Sequence, residues 1–248
     1  MAPGIGSTLP TESVSILEEK PSNTRSTSLF HHSLVTSDFD ALKFHAAASL
    51  QLQSGQKHES AAWTDHRLIS SPYNEPAHLL DLKRLDTPNR LFAKALTILK
   101  PIQYDYATAE YTQSFNWVAV FELLRALSDA EGYEWKKREF YVVVFRSVLR
   151  ADADLEYLHQ LDAHSHAEAT TSGGLLKYWF GTKNENRRNL ATCLWRNRED
   201  ARLGGLGPWH KKARAAARDM YEQIVFTTLK LTIDDDVSSW NFSDWTEE

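Results

Sequence analysis

Hydrophobic and polar residues follow clear periods in the second half of the chain. The β-branched and aromatic run "REFYVVVFRSVLR" predicts a buried strand. The next segment, "DADLEYLHQLDAHSHAEATTSGG", places three leucines and Asp162 at helical spacing and stops at Gly173 and Gly174. "LLKYWFG" and "NLATCLW" predict two further strands around a polar turn. A helix that starts at Pro208 and a strand, "IVFTTLKLTI", complete the pattern.

The order of these elements is β-α-β-β-α-β, the ferredoxin-like split βαβ arrangement. We therefore predict an α+β domain over residues 136–248, with a four-stranded sheet and both helices on one face. The other face must be covered by something. A second copy of the sheet would make a dimeric α+β barrel, and residues 76–132 of the same chain are the alternative cover. The sequence favours a homodimer, because the first half holds no second full set of strands.

The first half divides into two parts. Residues 76–135 predict a helical extension that packs on the core, with one strand at "HLLDLKRL", a helix at "DTPNRLFAKALTIL" and a helix near Asn116 to Ala130. Residues 1–75 are rich in Ser, Thr, Gln and His without sustained periodicity, which predicts mostly disordered chain. A short helix is expected at "TSDFDALKFHAAASLQLQ". A chain that starts near Pro72 is expected to fold.

Composition is that of an ordinary soluble globular protein, with 248 residues, 42% hydrophobic and 25% charged. No run of about 18 apolar residues occurs, and the N-terminus lacks the features of a signal peptide. We therefore expect no membrane partner and a cytoplasmic or nuclear location. The single cysteine, Cys193, excludes an internal disulfide and a multi-cysteine zinc site, and its apolar surroundings favour a buried structural thiol.

The charge is unevenly distributed. A net charge of -5 argues against nucleic acid as a partner. Between Lys183 and Arg218, however, ten Lys and Arg stand against three acidic residues, whereas "TIDDDVSSWNFSDWTEE" at the end is acidic. The basic segment could bind an anionic ligand or only the acidic tail of its own chain. Both interpretations stay open.

Two resemblances bear on these patterns. From about Leu79 to Trp245, the phrases "GGLLKYWFG", "RRNLATCLWR" and "GLGPWHKKARAAAR" resemble an uncharacterised family of fungal proteins, which implies no established activity. The strand that ends at Trp195, followed by a helix carrying His210, resembles dimeric α+β barrel enzymes related to small cofactor-free monooxygenases. The insertion Gly-Gly-Leu-Gly departs from the spacing of those enzymes, so this second resemblance bears on the fold more than on a catalytic role.

Three residues are candidates for catalysis. The helix dipole and neighbouring cations disfavour the protonated form of His210, so this side chain would be a neutral base near pH 7. The alternative is that His210 only caps or packs. Tyr178 and Trp179 point to opposite faces of a strand, so only one can line a cavity. Tyr141 is a candidate for a second hydroxyl in that cavity.

Other side chains are candidates for ligand binding. Arg196 could hold an anion, and the other candidates are Arg188, Trp195 and Trp179. The alternative is that the arginines lie on a solvated turn and helix edge and bind no ligand. The histidines of the first predicted helix lack the carboxylate and spacing of a metal site. We expect no metal and no cofactor. In that helix His159 and His166, seven residues apart, share a face.

Three hypotheses on function remain. The first is a cofactor-independent enzyme of the dimeric α+β barrel type that carries out proton transfer, cyclisation or oxygenation of an aromatic or polyketide-like substrate. In it His210 is the base, Tyr178 or Tyr141 orients the substrate and Arg196 holds an anion. The second is a non-catalytic ligand-binding or protein-interaction module. The third is a haem-binding barrel with His210 or His166 as axial ligand.

Overall fold

The computed structural model describes residues 66–246, so the helix expected at "TSDFDALKFHAAASLQLQ" lies outside the described residues. The strands are β1 Arg67–Leu68, β2 Leu80–Asp81, β3 Arg138–Leu149, β4 Leu175–Phe180, β5 Arg188–Trp195, β6 Tyr221–Ile233 and β7 Trp240–Asp244. The α-helices are α1 Thr87–Ala95, α2 Tyr111–Ser114, α3 Trp117–Glu131, α4 Leu155–Ser172, α5 Arg198–Gly204 and α6 Pro208–Met220. Single 3-10 turns cover Pro76–His78, Leu82–Arg84, Leu96–Ile98 and Asp235–Val237. Within residues 66–246, none of the helices has the length and apolarity needed to cross a membrane.

Local signals in the sequence set the helix ends. The side chain of Asp86 accepts a hydrogen bond from Asn89 N at the start of α1, and Asp154 accepts one from Tyr157 N at the start of α4. Gly132 ends α3 with a φ of 64°, a left-handed conformation that glycine adopts without strain. These capping residues explain why the predicted helix positions agree with the structure.

Five antiparallel strands form the main sheet, in the order β4-β5-β3-β6-β7. Tyr141 on the central strand β3 lies opposite Trp195 of β5, and Phe145 lies opposite Phe226 of β6. With α4 between β3 and β4, and α5 and α6 between β5 and β6, this is the predicted ferredoxin-like βαββαβ arrangement. The edge strand β7 and the helix α5 are additions that the periodicity did not predict.

Residues of the N-terminal extension cover the sheet face opposite α4 and α6. Phe140 and Val142 of β3 share one buried core with Phe92 of α1 and Phe121 of α3. The rings of Phe92 and Phe140 lie 4.4 Å apart. The face whose exposure suggested a homodimer is therefore covered by the chain's own helices, which is the alternative cover weighed from the sequence. The bare sheet face therefore no longer supports a homodimer, and the oligomeric state remains a prediction.

The residues just before position 75 belong to this core. Leu68 and Ile69 are buried, and the carbonyl oxygen of Ser70 accepts a hydrogen bond from Tyr178 N at 2.9 Å, so this segment runs beside the edge strand β4. Packed chain thus begins before the predicted boundary, because these few apolar residues find partners far along the sequence. The strand predicted at "HLLDLKRL" is also shorter than expected, since the 3-10 turn Leu82–Arg84 follows directly after β2.

Candidate functional site

The carboxylate of Asp162 lies between two tyrosine hydroxyls. Tyr73 donates a hydrogen bond of 2.5 Å to one carboxylate oxygen, and Tyr178 donates one of 2.6 Å to the other. Asp162 comes from α4 and Tyr178 from β4, whereas Tyr73 comes from the segment that runs along the sheet edge. Tyr178 reaches α4 because its side chain is on the sheet face opposite that of Trp179.

Burial changes the proton affinity of all three groups. Desolvation raises the pKa of Asp162, although the hydrogen bonds from the two tyrosines and the charges of His159 and His210 act in the opposite direction. Desolvation and the negative charge of Asp162 raise the pKa values of Tyr73 and Tyr178. Both hydroxyls therefore stay protonated and act as donors, while the carboxylate is a stronger base than in water.

A pair of histidines adjoins this cluster. The Nδ1 atoms of His78 and His166 lie 2.8 Å apart, so the Nδ1–H of one ring donates a hydrogen bond to the Nδ1 atom of the other. Burial lowers the pKa of His78, and burial followed by the charge of His78 lowers the pKa of His166 to about 3. The ring of Tyr73 stacks on that of His78 at 4.7 Å. The Nε2 atom of His166 is buried without a hydrogen-bond partner in the part of the chain that the structure describes.

His210 is fixed by Glu168 of α4. The Glu168 carboxylate accepts hydrogen bonds from Trp209 N at 2.8 Å and His210 N at 3.1 Å, and it lies 3.1 Å from His210 Nδ1. Desolvation acts to raise the pKa of Glu168, but these hydrogen bonds together outweigh it, so the pKa is lowered. Gly207 allows the close approach, because a Cβ atom there would overlap the Glu168 carboxylate. Glu168, and not His210, therefore caps the start of α6, and the charge of His210 acts on Asp162.

Tyr141 and Trp195 share a buried cluster with Tyr73 and Tyr178 but have packing partners of their own, and Trp179 belongs to the other cluster. The ring of Tyr141 faces the same side of the sheet as Tyr178 but packs edge-on against Trp245, with ring centroids 4.9 Å apart. Trp195 is buried against Gly204. Trp179 points to the opposite face, where its ring contacts Tyr106 and Phe115. The predicted split between Tyr178 and Trp179 is therefore what the structure shows.

The arginines proposed as anion ligands do not converge on this cluster. Arg196 forms a bidentate ion pair with Asp200, at 2.8 and 2.9 Å. It also lines a polar groove of about 500 Å³ together with Arg84 and Arg138. Arg188 is exposed at the start of β5. The structure thus brings Tyr178 and His210 near Asp162, and leaves Arg196 and Arg188 elsewhere.

The histidines of α4 take part in ring contacts. Among residues 66–246 no group of three or more His, Cys, Asp or Glu side chains is placed to hold a metal ion. His159 and His166 both contact the ring of Tyr73, as their shared helix face predicts. His164 stacks on Trp209 at 4.0 Å. Burial raises the pKa of Cys193, so this thiol stays protonated at neutral pH.

Sequence reasoning missed the centre of the site. Asp162 entered only as a member of a helical pattern, and Tyr73 fell in the segment assigned to disordered chain. A usable signal was present, because Asp162 directly follows Leu161 in the leucine spacing that predicts the helix, and Leu161 is buried. A carboxylate in that position needs buried partners. No local pattern could name Tyr73 as one of them, since 89 residues separate it from Asp162.

Comparisons with known proteins give a family and several structural likenesses. A family model described as PB2B2.08-like matches residues 69–244. The UPF0643 protein PB2B2.08 of Schizosaccharomyces pombe is 36% identical over 187 residues, which cover 72% of this chain and 85% of that protein.

Solved structures match a smaller part of the chain. A putative antibiotic biosynthesis monooxygenase from Nitrosomonas europaea has a TM-score of 0.32 at 13% identity, over 36% of this chain and 86% of its own. Rv0793 from Mycobacterium tuberculosis has a TM-score of 0.33 at 18% identity, over 36% and 92%. SnoaB, a cofactor-independent oxygenase from Streptomyces nogalater, has a TM-score of 0.31 at 12% identity, over 37% and 90%.

Proposed function

We propose a function for this chain, which belongs to the PB2B2.08-like family. The protein is a cofactor-independent enzyme that moves a proton on a small aromatic or polyketide-like substrate. The observation that carries the proposal is the carboxylate of Asp162 between the hydroxyls of Tyr73 and Tyr178. A carboxylate whose proton affinity is raised by burial, with two fixed donors beside it, suits general base catalysis. His210, the base expected from the sequence, becomes a supporting group in this proposal.

The chemistry is a proton transfer in which all atoms are conserved. Asp162 takes a proton from a phenol oxygen or from a carbon next to a carbonyl group, and the electron pair of the broken bond stays on the substrate oxygen. Protonation of Asp162 weakens its hold on the two hydroxyls. Tyr73 or Tyr178 can then donate its hydrogen bond to the new oxyanion. Return of the proton to another atom of the substrate completes an isomerisation or a cyclisation.

Asp162 and His210 are each half-buried as residues, whereas the rings of Tyr73 and Tyr178 are buried. The proposal requires that a substrate reach the carboxylate from the half-buried side of α4.

The test is exchange of substrate protons with heavy water. The full chain is incubated with a panel of small phenols, aryl ketones and 1,3-dicarbonyl aromatics, and deuterium uptake at carbon is measured by mass spectrometry against the rate without protein. The expected result is catalysed uptake in at least one compound, lost in Asp162→Asn and kept in Asp219→Asn, which changes an exposed aspartate of α6. Uptake that Asp162→Asn leaves unchanged contradicts the proposal.

The alternatives have distinct outcomes in the same experiment. Tight binding of a panel compound by wild type and Asp162→Asn alike, without deuterium uptake in either, is the result expected of a non-catalytic binding module. A Soret band in the purified protein that disappears in His166→Ala or His210→Ala is the result expected of a haem-binding barrel.

A further inference from the structure

Two leucines are exposed where α5 ends and in the turn that follows it. Leu203, in the last turn of α5, is 43% exposed and Leu206 is 62% exposed, and they flank Gly204 and Gly205. Leucine side chains that are exposed to water contribute little hydrophobic stabilisation to the fold. Trp209 follows at the start of α6, half-buried, with one ring face against His164.

Cationic side chains surround these apolar residues. The guanidinium of Arg214 donates a hydrogen bond of 2.9 Å to the carbonyl oxygen of Gly205, which places its charge beside the turn between the two leucines. The ammonium of Lys212 lies 3.9 Å from the centre of the Trp209 ring. Lys211 and Arg218 are exposed on the same short helix. Apolar tips and cations thus occupy one corner of the molecule, which we call the α5–α6 corner.

The corner keeps its positive charge within the described part of the chain. Arg196 and Arg202 are paired with carboxylates of α5, but no carboxylate of residues 66–246 lies within ion-pair distance of Lys211, Arg214 or Arg218. The acidic stretch that could have neutralised them lies elsewhere. Asp234 pairs with Lys137, and the strand that follows extends the sheet beyond β6.

This separation of charge identifies the kind of partner. Helix α5 contacts β3, β4 and β5 and helix α6 contacts β6, whereas the acidic stretch follows Ile233 at the far end of β6, where β7 pairs with Leu229–Ile233. A molecule with a net charge of -5 can then approach an anionic surface with its basic corner first and its acidic edge turned away. Exposed leucines with a neighbouring tryptophan and lysines are the combination that enters the headgroup region of a lipid bilayer.

We propose that the α5–α6 corner binds the surface of membranes that contain anionic lipids. Leu203 and Leu206 enter the headgroup region, and Lys211, Lys212 and Arg214 bind lipid phosphates and carboxylates. Binding of this kind needs no membrane-spanning helix. It differs from the expectation, drawn from the composition, that the protein has no membrane partner.

The test is co-sedimentation of the full chain with vesicles. One set contains phosphatidylcholine alone, and the other contains phosphatidylcholine with about one third phosphatidylserine, near the anionic content that attracts basic segments. We expect binding to the second set only, weakened by added salt. The double variants Leu203→Ser/Leu206→Ser and Lys211→Gln/Arg214→Gln should each lose about tenfold in affinity or more.

Matched controls separate the corner from general surface properties. Val118→Ser removes an apolar side chain that is 59% exposed on α3, and Lys136→Gln removes an exposed cation outside the corner, so both should bind as the wild type does. Melting temperatures verify that every variant is folded. Absence of binding to both vesicle sets, or equal binding by the corner variants, overturns the proposal. Binding to polyglutamate but not to vesicles assigns the corner to an acidic protein and also overturns it.

Discussion

The hydroxyl of Tyr178 and the carboxylate of Asp162 are 2.6 Å apart and tie the edge strand β4 to the helix α4. Tyr73 makes the equivalent bond from the segment that precedes the predicted domain. The same two hydrogen bonds thus hold three parts of the fold together and define the proposed site.

Tyr178→Phe should destabilise the protein. The change removes a hydrogen bond to a charged group and leaves a carboxylate oxygen without its donor, so the free energy of unfolding should fall by about 1.5–3 kcal/mol. Chemical denaturation of wild type and variant measures this difference. Tyr104→Phe, at a tyrosine that is 96% exposed, is the control and should change nothing. A loss for Tyr178→Phe no larger than that of the control would contradict the bond's role.

His166 should make the protein less stable in acid. Its pKa is about 3 in the folded chain and 6.5 when unfolded, so the unfolded state binds more protons between these values. The stability from the neutral ring is complete above pH 6.5 and is lost as the pH falls toward 3, by about 1.4 kcal/mol per pH unit. Asp162, whose pKa is raised, acts with the opposite sign.

The comparison of variants isolates the histidine. The free energy of unfolding is measured from pH 7 to pH 4 in wild type, in His166→Phe and in His159→Asn, which changes an exposed histidine of the same helix. We expect a much shallower pH dependence in His166→Phe than in His159→Asn, whose effect is limited to its charge on Asp162. The same slope in all three proteins would show that His166 is not held neutral.

Glu168→Gln should loosen the start of α6. The substitution removes the charge that accepts two backbone N–H groups and faces His210, which should cost about 1–2 kcal/mol of stability. Glu156→Gln, at an exposed glutamate of α4, serves as the control. Hydrogen exchange at the amides of Trp209 and His210 should speed up in the first variant only. Unchanged exchange there would rule out Glu168 as the cap.

Removal of the residues before position 74 should damage the fold. A chain that starts at residue 74 lacks the buried side chains of Leu68, Ile69 and Tyr73, each worth about 1.5–3 kcal/mol, and a chain that starts at residue 66 keeps them. The melting temperature of the shorter chain should therefore be lower by about ten degrees or more. This reverses the expectation that a chain starting near Pro72 folds normally. Equal melting temperatures for the two truncations would restore the original boundary.

The fold was predictable where its signals are local. Asp86 and Gly132 mark helix ends within a few residues, and the apolar run from Arg138 to Leu149 identifies the central strand by composition alone. The cover of the sheet was less predictable, since helical periodicity says that a helix has an apolar face but not which surface it meets. The site was least predictable, because one of the two partners of Asp162, Tyr73, comes from a segment without periodicity.

The proton affinity of Asp162 is the most direct measure of the central claim. The carboxyl carbon of Asp162 can be followed by 13C NMR in protein labelled at aspartate, with Asp162→Asn to assign the signal. We predict a pKa above the ordinary value of 3.8, and a further rise in Tyr178→Phe because the hydroxyl stabilises the charged form. A carboxyl group that titrates at or below 3.8 in the wild type would contradict the proposal that Asp162 is the base.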